Sequence, residues 1–308
     1  MLTENKVSIA MATYNGSKFL NQQLDSIINL TYKCTELIIV DDCSSDNTIE
    51  IINSYIDKYH WIKLYQNVIN IGAVKSFEKA INLCSGDYIA LSDQDDVWFP
   101  NKLQTLLDNI EENLLIHSDA VLVDEHMNIV ANSYFSTIKN KKLSGFTDYL
   151  LMNNVTGCTM LFSRKLFELA MPIPEGFYIH DHYLAIVASF HGTIKLLDEP
   201  LVYYRQHDSN SIGAARSDFN QFMTSCKFKA ESLKSLLSTP QFKNSWQIQL
   251  LSDYRISLYI GKWQGEYSKF KLLSLKDGWK HLLFYYIMRF MGRTKMSIKI
   301  YNFIRKYY

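Results

Sequence analysis

The chain has 308 residues, of which 47% are hydrophobic and 14% aromatic, and a formal net charge of +1. That composition supplies a sizeable core and excludes a disordered chain, and the length suits one large domain or a catalytic domain with an appendage. Charge is unevenly spread: residues 262–308 hold eleven Lys/Arg against Glu266 and Asp277, a local +9, which leaves the first 261 residues at −8.

Residues 7–12 read as a strand, with Thr13-Tyr14-Asn15-Gly16 as its exit turn. Phe19, Leu20, Leu24, Ile27 and Ile28 then recur at helical spacing. Residues 36–40 form a second buried strand that runs into Asp41-Asp42-Cys43-Ser44-Ser45-Asp46. A helix over 49–59 follows, with Ser45 or Asp46 as its N-cap. A third strand covers 63–67, Asn70-Ile71-Gly72 turns, and a helix over 74–83 stops at Gly86. The apolar run 88–91 is a buried strand that ends in Ser92-Asp93-Gln94-Asp95-Asp96-Val97-Trp98-Phe99-Pro100.

This alternation predicts an α/β fold with a mostly parallel sheet covered on both faces. Such sheets bind ligands beyond the carboxyl ends of their strands. Residues 13–16, Asp41 and Asp42, and residues 93–96 all fall at such ends. Beyond residue 130 the pattern changes. Residues 155–162 read as a turn entering a strand, and His180-Asp181-His182 opens a helix that Gly192 ends. Two short strands, 194–197 and 201–204, lead to Arg205-Gln206-His207 and a polar loop at Gly213 and Ala214. From Asp218 onward the periodicity is helical, so the expected organisation is a catalytic domain over 1–217 and a helical region over 218–308.

Three carboxylates in four residues, Asp93, Asp95 and Asp96, repel one another unless a cation neutralises them. Carboxylate oxygens suit a hard divalent ion, and Mg²⁺ is held by one or two carboxylates plus substrate phosphates. The run is either such a site, with a phosphate-bearing substrate, or a solvated turn capping the next helix. No GxxxxGK[ST] and no GxGxxG after the first strand are present, which speaks against P-loop and dinucleotide chemistry. His180 and His182 lie two apart and point to different helix faces, a poor zinc pair. Asp181 is either a favourable partner for the helix dipole or a general base, since a carboxylate is ionised at neutral pH and can take a hydroxyl proton. Gly157 is a turn glycine or a point where backbone approaches a bound sugar. Arg205 and His207 are cation-capable and could meet a diphosphate.

In this order, Ala12-Thr13-Tyr14-Asn15-Gly16, Val40-Asp41-Asp42, Asn70-Ile71-Gly72, Ser92-Asp93-Gln94-Asp95-Asp96, Gly157, His180-Asp181 and Tyr204-Arg205-Gln206-His207 resemble glycosyltransferase family two. The resemblance spans about residues 6–213 and implies inverting enzymes of the GT-A fold. Trp98 and Pro100 after the acidic run, with Gly157-Cys158-Thr159-Met160, look most like the rhamnosyltransferase branch, which builds bacterial surface polysaccharides from dTDP-L-rhamnose; the alternative donor is a UDP-hexose. The resemblance implies that Ala12, Thr13, Tyr14, Asn15 and Gly72 line the nucleotide pocket, Asp42 contacts the base and Asp93 lies near the ribose. It assigns Asp95 and Asp96, with His207, to Mg²⁺ or Mn²⁺, and Asp181 to the base. Gly157, Trp98, His180 and Arg205 would belong to the donor and acceptor pocket. Many members of the family carry Glu-Asp where this chain has His180-Asp181. A module that binds nucleotide or carbohydrate without turnover is the other class considered, although it would need no base.

The five cysteines form no CxxC pair, which fits thiols in a reducing compartment. No apolar leader precedes the first strand and no run reaches the length of a spanning helix, so a cytoplasmic location is expected. Aromatic residues interleave with the basic ones over 262–308. Such a segment reads as a surface for anionic lipid, suiting an acceptor on a polyprenyl diphosphate at the inner leaflet; otherwise it packs on the catalytic domain or forms a homodimer interface. An acidic front half with no reader module argues against nucleic acid as a partner.

Overall fold

The computed structural model describes residues 5–138, 143, 145–207, 219–245, 247–249 and 251–252. Strands β1 (Val7–Thr13), β2 (Glu36–Asp41), β3 (Ile62–Gln66) and β4 (Tyr88–Ser92) alternate with helices α1 (Leu20–Ile28), α2 (Thr48–Ile56) and α3 (Ala73–Leu83). They pair in parallel in the order β3-β2-β1-β4. Val7, Ile9, Ala10 and Met11 of β1 and Leu37, Ile38, Ile39 and Val40 of β2 are buried, as in a parallel sheet covered on both faces. Leu20, Leu24 and Ile27 carry the buried stripe of α1, so the helical spacing read from the sequence is the spacing that packs.

The rest of the sheet is built differently. After β4 come β5 (Val97–Trp98), α4 (Lys102–Ile110), β6 (Leu115–Val123), β7 (Ile129–Ala131), α5 (Tyr134–Thr137) and α6 (Phe146–Leu151). A 3₁₀ turn at Gly157–Thr159, β8 (Met160–Ser163), α7 (Arg164–Ala170), α8 (His180–His191) and β9 (Ile194–Arg205) follow. The sheet continues β4-β8-β6-β9-β5, with β7 beside β6. Here β8 inserts antiparallel between β4 and β6, β9 runs parallel to β6, and β5 is antiparallel to β9. The parallel half therefore matches the alternation, while the second half is mixed.

Two expected short strands are one. The break at Asp198-Glu199-Pro200 is a register shift of β9 against β6, where Ser118 faces Leu197 but Asp119 faces Pro200. Proline cannot donate to the ladder, so the strand slips at that point instead of turning back.

Chain contacts divide the molecule into two units. The first comprises Met1–Tyr149, Asn153–Ile173 and Ile179–Gly213 and holds the sheet; the second comprises Leu150–Met152, Pro174–Tyr178 and Ala214–Tyr308. In the second, α9 (Phe219–Leu236) buries Ala230, Leu233 and Leu236, and Ser252 Oγ donates to the Ala230 carbonyl at 3.1 Å. No helix among the described residues is long and apolar enough to cross a membrane. The basic, aromatic stretch 262–308 and the loop at Gly213 and Ala214 lie outside the described residues.

Candidate active site

The parallel register sets the carboxyl ends of three strands side by side, Thr13 facing Asp41 and Met11 facing Ser92. Asp41 Oδ2 accepts from Thr13 Oγ1 at 2.8 Å and Oδ1 accepts from the Ser44 N–H at 2.8 Å. Asn15, at a φ of 46°, accepts from the Ser45 N–H at 2.8 Å through its side-chain oxygen. The Tyr14 N–H donates to Gln94 Oε1 at 2.9 Å, and Gln94 Nε2 returns a bond to the Tyr14 carbonyl at 3.1 Å. The first turn is thus fastened to the acidic loop.

Asp42 is 3% exposed. Its Oδ1 accepts from the Ile71 N–H at 2.8 Å and Asn67 Nδ2 at 2.9 Å, and its Oδ2 from the Gly72 N–H at 2.8 Å. Its carboxylate shapes the Asn70-Ile71-Gly72 turn. The N-cap of α2 is Asn47, without a side-chain bond. Asp46 satisfies the Thr48 and Ser17 N–H groups at 3.0 and 3.1 Å. Partial burial pushes Asp46 up, but bonds from the side chains of Thr48 and Ser17, and then from these N–H groups, outweigh it and hold the carboxyl at about 2.

The acidic loop separates into two pairs. Asp95 Oδ2 lies 2.9 Å from His207 Nε2. Asp93 and Asp96, with Cys158, bring one ligand atom each to within 4.8 Å of one another. Burial, then the charges of Asp96, Asp95 and Asp181, push Asp93 well up; burial and Asp95 push Asp96 up to about 7. Asp96 Oδ1 accepts from the Arg205 N–H at 3.0 Å, whereas Oδ2 is buried with no hydrogen-bond partner among the described residues. An orphaned carboxylate oxygen beside a second carboxylate fits Mg²⁺ or Mn²⁺, which is held by few protein carboxylates plus phosphate oxygens. Cys158 fits such an ion poorly, because burial raises its thiol pKa well above the ordinary value and the ligating form is the thiolate.

Asp181 stands in the first turn of α8 and is 6% exposed. Its Oδ1 accepts from Asn153 Nδ2 at 2.9 Å and its Oδ2 from the Gly157 N–H at 3.1 Å. Burial pushes its carboxyl up to about 7 against these bonds. A Cβ at Gly157 would stand 3.2 Å from His180 Nε2 and 3.7 Å from Asp181 Oδ2, so the bare glycine lets both side chains close on the backbone. His180 stacks on Phe77 with centroids 4.0 Å apart, burial draws it down to about 3, and neither ring nitrogen has a partner among the described residues. His182 turns elsewhere, with Nε2 2.5 Å from the Tyr149 carbonyl.

Two pocket candidates lie inside the structure. Trp98 is 2% exposed and packs in the main core. Arg205 is 1% exposed. Its Nε, Nη1 and Nη2 donate to the Asp95 carbonyl at 2.7 Å, the Glu125 carbonyl at 2.9 Å and Gln22 Oε1 at 2.5 Å, and its guanidinium lies 4.4 Å from the Phe19 ring centroid. The guanidinium ties β9 to the acidic loop. Arg205→Ala should lower stability by roughly 2–4 kcal/mol, because the buried guanidinium's charged hydrogen bonds and its packing on Phe19 are lost together; a denaturant midpoint unchanged from wild type would contradict this clamp.

Sequence reasoning missed Asn153, Lys102, Tyr134 and Gln94. Asn153, four residues before Gly157, carried no signal. Tyr134 meets Tyr204 edge-on at 5.9 Å, and burial, then the charge of Asp181, push its hydroxyl pKa up. Lys102 is wholly buried, and its Nζ donates to the Cys158 carbonyl.

Residues 8–169, more than half of the chain, match the family described as glycosyl transferase family 2, and the chain belongs to that family. An uncharacterized glycosyltransferase of Nostoc sp. is 27% identical over 267 residues, 82% of this chain and 79% of that protein. A dTDP-rhamnosyl transferase, RfbG of Shigella flexneri, is 30% identical over 224 residues, 66% of this chain and 74% of its own. Among solved structures, S. aureus TarS 1-349 in complex with UDP-GlcNAc aligns over 92% of this chain and 81% of its own, with a TM-score of 0.58 and 18% identity. The fold is of the GT-A type and the protein is a glycosyltransferase.

Proposed function

We propose that this glycosyltransferase moves L-rhamnose from dTDP-L-rhamnose onto a hydroxyl of a growing bacterial surface polysaccharide carried on a polyprenyl diphosphate, with inversion at the anomeric carbon. The observation that carries the reaction is the buried Asp181 carboxylate, anchored on Gly157 and Asn153 and close enough to the acidic loop for its charge to act on Asp93. Asp181 takes the acceptor hydroxyl proton as that oxygen attacks, and the nucleoside diphosphate leaves from the opposite face. Asp93, Asp95 and Asp96 would hold Mg²⁺ or Mn²⁺, which supplies charge stabilisation to the leaving diphosphate. Thr13, Tyr14, Asn15, Asp42 and Gly72 shape the pocket for the base and ribose. The likeness to a dTDP-rhamnosyl transferase supports the donor. TarS, a fold neighbour described with UDP and UDP-GlcNAc, supports a second reading with a UDP-hexose donor.

Metal-dependent release of free nucleotide from dTDP-rhamnose or UDP-GlcNAc, assayed side by side, tests the reaction and chooses the donor. Release from neither would leave a nucleotide- or carbohydrate-binding module without turnover.

The eleven basic residues of 262–308 support a peripheral place on the inner leaflet, each contributing about 1 kcal/mol near an anionic membrane. The full chain should float with vesicles containing phosphatidylglycerol and let go at high salt. A protein that stays in solution at low salt would favour helices packed as a homodimer interface.

A further inference from the structure

Lys102 is the one lysine among the described residues with no solvent exposure. It also opens α4, where the helix dipole opposes a positive charge. Burying an ammonium group is costly without compensation, so something in this place rewards a cation. Two groups do so locally. Its Nζ donates to the Cys158 carbonyl and lies 3.3 Å from the centroid of the Trp98 ring, an acceptor and an aromatic face that both favour a cation. Cys158 is in turn the residue whose Sγ lies within 4.8 Å of the Asp93 and Asp96 carboxylates. No carboxylate forms a direct ion pair with Lys102 among the described residues, so the amine is linked to the acid pair through Cys158 and not by direct contact. Burial draws its pKa down to about 7, and Cys158, Asp96 and Asp93 push the other way.

We propose that Lys102 is the internal counter-ion of the Asp93–Asp96 pair, and that it keeps the pair's affinity for a free divalent cation low until a nucleoside diphosphate brings further negative charge. Metal then loads with the donor and not ahead of it. Fully buried, Lys102 cannot touch the donor; it is a positioning residue that acts through the two carboxylates. This rests on the metal-dependent reading of the acidic loop given above.

Mn²⁺ alone, followed by the electron paramagnetic resonance of the free ion, is titrated into the full chain as wild type, Lys102→Met and Lys102→Arg. Lys102→Met should bind Mn²⁺ at least about tenfold more tightly than wild type, and Lys102→Arg within about twofold of it, because one unit charge is removed from beside a divalent ion. Equal affinities of wild type and Lys102→Met would overturn the proposal, as would micromolar binding of Mn²⁺ alone by the wild type. Without metal, Lys102→Met should melt about 5 °C or more below wild type, and adding Asp96→Asn should restore most of the loss by removing the uncompensated charge. A double variant that melts lower still, or that fails to fold, overturns it too. Failure of the glycosyltransferase reading is visible separately: wild type would then gain no stability from UDP or dTDP with Mn²⁺, whatever Lys102 does.

Discussion

Replacing Asp181 by Asn should lower kcat by roughly 10²–10⁴ while nucleotide binding and the fold persist. The size follows from the work assigned to the group. Asp181 is 6% exposed, and burial pushes its carboxyl up to about 7 although the Gly157 and His182 N–H groups and the Asn153 amide pull it down. A carboxylate poised near neutrality is a stronger base than a free one and is still ionised at working pH. Transfer should therefore speed up as pH rises through about 7 and level off above it, while the Asn variant shows no such step.

Stability reports the same group independently. The folded pKa lies above the ordinary value of 3.8, so the fold favours the neutral acid. The stability this contributes is fully present below about pH 4 and is lost as pH rises through about 7. Asp181→Asn, which cannot ionise, should gain on wild type across that window and keep a constant margin above it. Urea midpoints at pH 5 and pH 8 measure the difference. Turnover like that of wild type would dispose of the base, and a margin that does not grow with pH would dispose of its buried, raised carboxyl.

The second large effect belongs to the acidic loop. Asp95→Ala should abolish metal-dependent nucleotide binding. It is more available than Asp96: Asp96 is buried with Oδ1 fixed by the Arg205 N–H, whereas the Asp95 side chain keeps 18% of its surface and lies beside the His207 ring. A ligand at a hundred times its Kd stabilises by about 2.7 kcal/mol, so the loss is easily seen. Calorimetric titration of UDP or dTDP with Mn²⁺ should give heat with wild type and none with Asp95→Ala. An unchanged titration would move the metal to Asp93 and Asp96 without Asp95.

The parallel half of the fold was legible because its signals are local. Apolar runs such as 36–40 are buried strands, and each ends in polar residues that the parallel register must gather at one edge. The place of Asp181 was legible for a similar reason: the sequence puts a carboxylate at the start of an apolar helix, and α8 carries it in its first turn. What was not legible depends on distant pairing. The insertion of β8 between β4 and β6 leaves no periodic mark, and neither does the slip at Pro200 that joins two apparent strands into β9. Burial of charge was hidden for the same reason. Lys102 carried no signal in the sequence and Arg205 was expected to meet a diphosphate, yet one is buried against Trp98 and the Cys158 carbonyl and the other spends its guanidinium on two carbonyls and Gln22. Trp98, beside the acidic run, is core. The split of the acids into Asp95 with His207 and Asp93 with Asp96 arises from the loop's path, which spacing alone does not set.

The most direct test of a metal-dependent nucleotide-sugar site is the melting temperature of the wild-type chain with dTDP, UDP, dTDP-rhamnose and UDP-GlcNAc, each with and without Mn²⁺. A rise with a dTDP or UDP ligand that needs Mn²⁺ is the expected result, with dTDP-rhamnose the largest if the proposed donor is right. No rise with any of them, metal present or absent, would contradict the assignment of this edge of the sheet to a nucleotide-sugar.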